Sequence, residues 1–257
     1  MMLTRFTRRR GDVVLSGLAG GHGELVVLLH GLAGSAGELA GLGEALVAGG
    51  YRVVALDQRG HGHSTRRPGD LSRRAYVDDV LALLDGPAWL VGQSMGAHTA
   101  MLVAAEQPVR GLVMISGGVG GSTDDYPKRL GEFFASWPVP FADEAAAAAF
   151  LGDRAITGAW IAGFERRADG LYPRFDADVM EAAIRPVAAT ARWAEWARVT
   201  APTLLVHGSE DEQDPAEVRR MTAKPGVEQI VVAGAGHDVH LEQPDRTAQL
   251  VRDFIGG

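Results

Sequence analysis

Residues 92–96 read Gly92-Gln93-Ser94-Met95-Gly96, a serine with a glycine two places away on each side. A serine hydroxyl attacks a carbonyl carbon only when a base takes its proton, and the oxyanion that forms needs N–H donors already in place. The flanking glycines remove side chains that would clash if Ser94 sat on a sharp strand-to-helix turn, where its backbone is strained and its hydroxyl projects from the sheet edge. The N–H of Met95, first in the following helix, would then point toward the developing charge. With 34 glycines and 9 serines in 257 residues, chance places this string in roughly 0.15 of chains of such composition, so the string alone decides little.

The base and its orienting acid must come from elsewhere. His237 stands in Gly234-Ala235-Gly236-His237-Asp238, where two glycines make a turn able to carry an imidazole across strand ends. Glu210, Asp211 and Asp214 share one earlier loop, and each could orient a histidine. Asp214-Pro215 reads as a helix start with Asp214 as its cap, which favours Asp211 as the acid. His240 is the alternative base, although Leu241-Glu242-Gln243-Pro244 after it reads as the approach to the last helix. His30 reads as a buried support behind its strand, with a place in the substrate pocket as the second reading. Arg59, His61 and His63 brace neighbouring loops, His63 having a second reading at the pocket mouth. His98 and His207 are packing residues.

These residues need strands that end together. Near-continuous apolar runs at 25–29, 52–56, 88–91, 111–115, 203–206 and 229–232 predict parallel strands covered on both faces. Helical stretches at 35–48, 73–84, 96–106 and 245–255 alternate with them. That alternation predicts an α/β fold with a doubly wound, mostly parallel sheet. Segments 4–8 and 13–17 read as a hairpin of edge strands. From 118 to 200 no strand is expected, only helices at 144–151, 156–167 and 178–196, so this stretch reads as an all-helical insertion. Ser94 falls between the strand at 88–91 and the helix at 96–106, as its chemistry requires.

With His30-Gly31, Asp57-Gln58-Arg59-Gly60-His61-Gly62-His63-Ser64, the serine turn, Gly208 to Asp211 and Gly236-His237 in this order, the chain resembles the α/β-hydrolase superfamily from about residue 12 to the end. The resemblance implies a core of residues 1–117 and 201–257, with a helical cap over 118–200. It implies Ser94 as nucleophile, His237 as base and Asp211 as acid, Asp211 having the family's spacing from Gly208. It also implies Leu32 N–H as the second oxyanion donor beside Met95 N–H. Relatives that open epoxides or displace halide carry aspartate at the nucleophile position, so Ser94 selects acyl chemistry. Trp137 and Trp160, among the aromatics of 118–200, are expected to line an apolar pocket with His30 and His63.

The expected activity is a serine hydrolase, carboxylesterase-like, cleaving an ester, thioester or lactone of a small to medium hydrophobic substrate. A carbon–carbon bond hydrolase or lyase on the same triad, and a slow-turnover ligand-binding or accessory protein, are the competing readings. No cofactor and no metal are expected. Zero cysteines exclude a disulfide framework, a thiolate metal site and a cysteine nucleophile. A formal charge of −7 argues against nucleic acid or an anionic membrane as partner. Arg8-Arg9-Arg10 is followed by no apolar h-region, and the uncharged stretch 86–105 holds Gln93, Ser94 and His98, so neither a signal nor a span is expected and the address is cytoplasmic.

Overall fold

Segments 4–10 and 13–20 form an antiparallel hairpin, β1 (Thr4–Arg10) and β2 (Val13–Gly20), turning at Gly11-Asp12, in a computed structural model that describes residues 2–122 and 125–257. The apolar runs follow as β3 (Leu25–Leu29), β4 (Arg52–Asp57), β5 (Trp89–Gln93) and β6 (Gly111–Ile115). Later in the chain come β9 (Thr203–Gly208) and β10 (Val227–Val232), and all eight strands form one sheet in the order β1-β2-β4-β3-β5-β6-β9-β10. From β4 to β10 every pairing is parallel. Of the hairpin's two strands only β1 lies at an edge, because β2 pairs with β4 on its other side; β10 forms the opposite edge.

A strand such as Leu25–Leu29 is apolar throughout because both faces of the sheet are covered. Val27 and Leu29 belong to a core shared with α2 (Arg73–Leu81) and α3 (Met95–Ala104), whereas Val26 and Leu28 face α1 (Ala40–Ala48) and α11 (Pro244–Gly256). The helix expected at 35–48 opens with a 3-10 turn, Ala36–Leu39, capped by Ser35, whose hydroxyl accepts from Gly37 N. Residues 86–105 divide into β5 and α3, and among the described residues no helix is long and apolar enough to cross a membrane.

Between β6 and β9 lie α4 (Tyr126–Ala135), α5 (Glu144–Leu151), α6 (Ala155–Gly163), β7 (Glu165–Arg167), β8 (Gly170–Tyr172), α7 (Ala177–Ala188) and α8 (Trp193–Arg198). This segment is not all-helical. The helix expected to run to 167 stops at Gly163, and a hairpin turns through Ala168-Asp169-Gly170, with Leu171 exchanging backbone hydrogen bonds with Phe141 at 2.7 and 3.0 Å. Three-residue strands are too short to show a period of two. The expected helix 178–196 is two helices, α7 ending two residues after Pro186. Phe134, Trp137, Phe141, Trp160 and Phe175 pack together as the segment's own core, Trp137 lying 5.1 Å from Trp160 and 5.6 Å from Phe175 between ring centroids.

Candidate active site

Ser94 is the single residue between β5 and α3, with φ +51° and ψ −116°. A non-glycine residue held at positive φ is strained, and the surroundings fix it: its N–H donates to Ile115 O at 2.9 Å, and its carbonyl accepts from His98 N at 3.1 Å. Gly96 permits the crossing of helix over strand, since a Cβ there would lie 2.2 Å from Leu29 O. As the first residue of α3, Met95 has an N–H with no intrahelical acceptor. Neither that N–H nor Leu32's makes a hydrogen bond among the described residues.

The histidine and its acid meet at the ends of β9 and β10. His237 Nδ1 lies 3.0 Å from Asp211 Oδ1, while Gln213 Nε2 donates to Asp211 Oδ2 at 2.8 Å. Gly208 lets the two loops touch, because a Cβ there would sit 2.1 Å from Ala235 O. Burial alone would lower the His237 pKa, but the hydrogen bond and charge of Asp211 outweigh it and raise it. Burial would raise that of Asp211, and the same contact with His237 overcomes this and lowers it. Glu210 is exposed, and Asp214 caps α9 (Pro215–Thr222) by accepting from Ala216 N. Asp211 is thus the acid of that loop that faces His237.

Ser94 and His237 line one cavity of about 220 Å³ with Gly31, Leu32, Glu38, Arg154, Ile156, Trp160 and Asp238. Of the four residues expected to line the pocket, only Trp160 does so here. His30 is fully buried, with Nδ1 donating to Gly31 O at 2.7 Å and Nε2 accepting from Gln58 N at 2.9 Å, so it shapes the loop and cannot touch substrate. Trp137 sits in the aromatic core instead. His63 borders a larger neighbouring cavity of about 500 Å³ with Arg5, Glu38 and Arg174. His240 points inward with its side chain 1% exposed, against 48% for His237, which removes it as the base. Arg59 braces its loop, Nε and Nη2 donating to buried Asp79 at 2.7 and 2.8 Å.

Several contributors have no sequence signature, because they are ordinary residues whose roles depend on which groups the fold brings to them. Gln93 Nε2 donates to the carbonyl of His237 at 3.2 Å, tying the serine turn to the histidine loop. Glu242 grips that loop from below, accepting from Gly236 N at 2.7 Å and Asp238 N at 3.1 Å. Asp57 accepts from Ala36 N, His63 N and Arg5, joining three segments around the cavity. Glu38 lies buried in the cavity wall, 4.0 Å from His240. Among the described residues no group of three or more histidine or acidic side chains could hold a metal ion.

Burial, reinforced by the charge of Asp238, holds the Glu38 carboxyl up at about 8. The folded state therefore binds this proton more tightly than the unfolded chain. Its stabilising contribution is complete below the ordinary value of 4.5 and is lost as pH rises through about 8. Glu38→Gln, neutral at every pH, is expected to remove a decline of at most about 4 kcal/mol between about pH 5 and pH 8.5. Urea melts of both proteins at the two pH values check this; parallel declines would show that Glu38 is ionised throughout.

The sequence model of the alpha/beta hydrolase family matches residues 26–250. A 2-(acetamidomethylene)succinate hydrolase of Mesorhizobium japonicum is 28% identical over 236 residues, spanning 80% of this chain and 78% of its own. A 2-hydroxy-6-oxononadienedioate/2-hydroxy-6-oxononatrienedioate hydrolase of Dechloromonas aromatica is 28% identical over 230 residues, spanning 82% and 78%. The crystal structure of an E-2-(acetamidomethylene)succinate hydrolase superposes with a TM-score of 0.87 at 26% identity, over 99% of this chain and 100% of the other.

Proposed function

This chain belongs to the alpha/beta hydrolase family, and from that premise we propose a hydrolase that breaks a carbon–carbon bond beside a ketone in a small, carboxylate-bearing substrate. The observation that carries the reading is the make-up of the cavity at Ser94. Its apolar wall of Leu32, Leu130, Phe133, Phe134, Ile156 and Trp160 is interrupted by the Arg154 guanidinium and the Glu38 carboxyl. Arg154 is exposed, stacks 5.6 Å from the Trp160 ring centroid and makes no ion pair among the described residues; its charge acts on Asp238 in the same cavity and is available to a substrate carboxylate. Of the two relatives the dienedioate hydrolase supports this by its name, whereas a 2-(acetamidomethylene)succinate carries an amide and no ketone. A 6-oxo dienedioate contains no ester, and water can divide it only at a carbon–carbon bond beside its ketone.

In this reading residues 118–200 form a cap supplying the apolar wall. Ser94 Oγ attacks the ketone carbon as His237 accepts its proton, and Asp211 stabilises the imidazolium. The N–H groups of Leu32 and Met95 hold the oxyanion. Cleavage proceeds from the keto tautomer, in which the dienol's hydroxyl proton has moved to the carbon beside the 6-ketone; collapse breaks the bond to that carbon, and the electron pair leaves as an enolate conjugated with the 2-oxo group that takes the proton from His237. Water deprotonated by His237 then releases the acid from Ser94. The expected hydrophobic substrate becomes one with an apolar body and an acidic end.

A 2-hydroxy-6-oxo dienoate and a series of p-nitrophenyl esters distinguish the bonds. The dienoate is expected to exceed every ester in kcat/KM by about 100-fold or more, and Arg154→Gln to raise its KM about tenfold with kcat little changed. Ester turnover with the dienoate intact would return the protein to the carboxylesterase reading.

A further inference from the structure

We propose a second binding site, for a small monovalent anion such as chloride, between Arg73, His98 and Arg192 at the root of the segment inserted after β6. Arg73 opens α2 with 4% of its surface exposed, its guanidinium 4.5 Å from the Tyr76 ring centroid. Its Nη2 donates to Thr99 Oγ1, and both Nε and Nη1 are buried without a partner. No carboxylate pairs with it among the described residues. His98, one turn into α3, is 1% exposed, and its ring nitrogens meet no side chain, one of them lying close enough to the Val119 backbone to be influenced by it; Arg192 leaves a buried Nε–H.

The loop after β6 draws the three together. Val119 O accepts from Arg192 N at 2.8 Å, and Gly120 packs so closely on His98 that a Cβ there would lie 3.1 Å from Nε2. Of the acids nearby, Glu217 accepts from Val119 N at 2.7 Å and Glu195 pairs with the outer end of Arg192 through Nη1 at 3.4 Å, and neither pairs with Arg73. Burial lowers the Arg73 pKa to about 10, which leaves the guanidinium charged at neutral pH. His98 is held neutral by burial and by the two arginines, so it keeps one N–H to donate. A buried cation with idle donors and no counter-charge is costly, and an anion relieves that cost. Because none of the three residues lines the cavities at Ser94 or His63, the ligand is small.

An anion here would reach the catalytic turn through Thr99, whose Oγ1 also donates to Met95 O at 3.0 Å. The full-length protein is melted at constant ionic strength while chloride replaces gluconate. A saturable rise in melting temperature with chloride is expected, and Arg73→Met is expected to weaken apparent chloride affinity at least about tenfold. Equal melting in both salts, or an undiminished chloride response in Arg73→Met, overturns the site. Should that variant fail to fold, Arg192→Gln at the partly exposed end carries the comparison. In crystals of the native protein soaked in bromide, an anomalous peak between Arg73 and His98 supports the proposal, and bromide bound only elsewhere overturns it.

Discussion

Replacing Ser94 by alanine is expected to lower turnover by about 10⁴ to 10⁶-fold, while the melting temperature stays within about 2 °C of the native value. The first expectation follows from the proposed role: without Oγ no covalent intermediate forms, and only the oxyanion donors and the cavity remain to act. The second follows from the turn itself. Alanine has the same Cβ at φ +51°, so the backbone strain is unchanged, and the hydroxyl makes no hydrogen bond among the described residues whose loss would be felt. Ser94→Gly should stabilise by about 1 kcal/mol, because glycine relieves that φ, and be equally inactive. A pH profile adds an independent reading. His237 must be neutral to accept the proton, and Asp211 raises its pKa above 6.5, so kcat/KM should fall as pH drops through a value above 6.5. Asp211→Asn should lower both that limb and the plateau. Near-native turnover in Ser94→Ala would move the nucleophile elsewhere.

What could be read along the chain and what could not divide by the range of the interaction. Leu25–Leu29 and Gly111–Ile115 match their apolar runs because a strand covered on both faces has no polar residue to blur its ends. The placement of Ser94, Asp211 and His237 beyond strand ends was legible for a related reason: each follows a strand at a short offset, with glycines marking the turn. The cavity was not. Trp137, two residues past α4, and Trp160 in α6 share the aromatic core of the inserted segment, and only the folding of that segment brings the second also to the wall of the cavity at Ser94. His30 is next to the oxyanion loop in sequence, yet Gln58 and Gly31 occupy both of its nitrogens. Glu38 and Glu242 belong to no motif, and Gln93 fills a variable position of one; Glu38 and Gln93 matter through contacts about 140–200 residues away, and Glu242 through the loop around His237 just before it. The hairpin at β7 and β8 depends on pairing with Phe141, which no local pattern announces.

Gly96→Ala is expected to be among the most damaging single methyl additions to this chain. The new Cβ would lie 2.2 Å from Leu29 O, 2.5 Å from His30 O and 2.6 Å from Leu29 C, all backbone atoms at the end of a central strand. They cannot step aside. β3 is held between β4 and β5, and His30 O already accepts from Gln58 Nε2 at 2.7 Å. The helix must therefore lift, drawing Ala97, Ala100 and Met101 out of the core shared with Leu90 and Leu112. A cost of about 3–5 kcal/mol follows, or a melting temperature lower by on the order of 10 °C in a chain this long. Gly41→Ala supplies the control: in α1, with nothing within 4 Å of the added Cβ, it should stabilise by about 0.5–1 kcal/mol. Thermal melts of the two variants decide the matter, and equal small effects would mean that α3 does not press on β3 as described. Any Gly96→Ala protein that folds should also be slow, because the same contact sets Ser94 and Met95 N–H against the loop carrying Leu32. Loss of turnover would then accompany loss of stability, whereas Ser94→Ala separates the two.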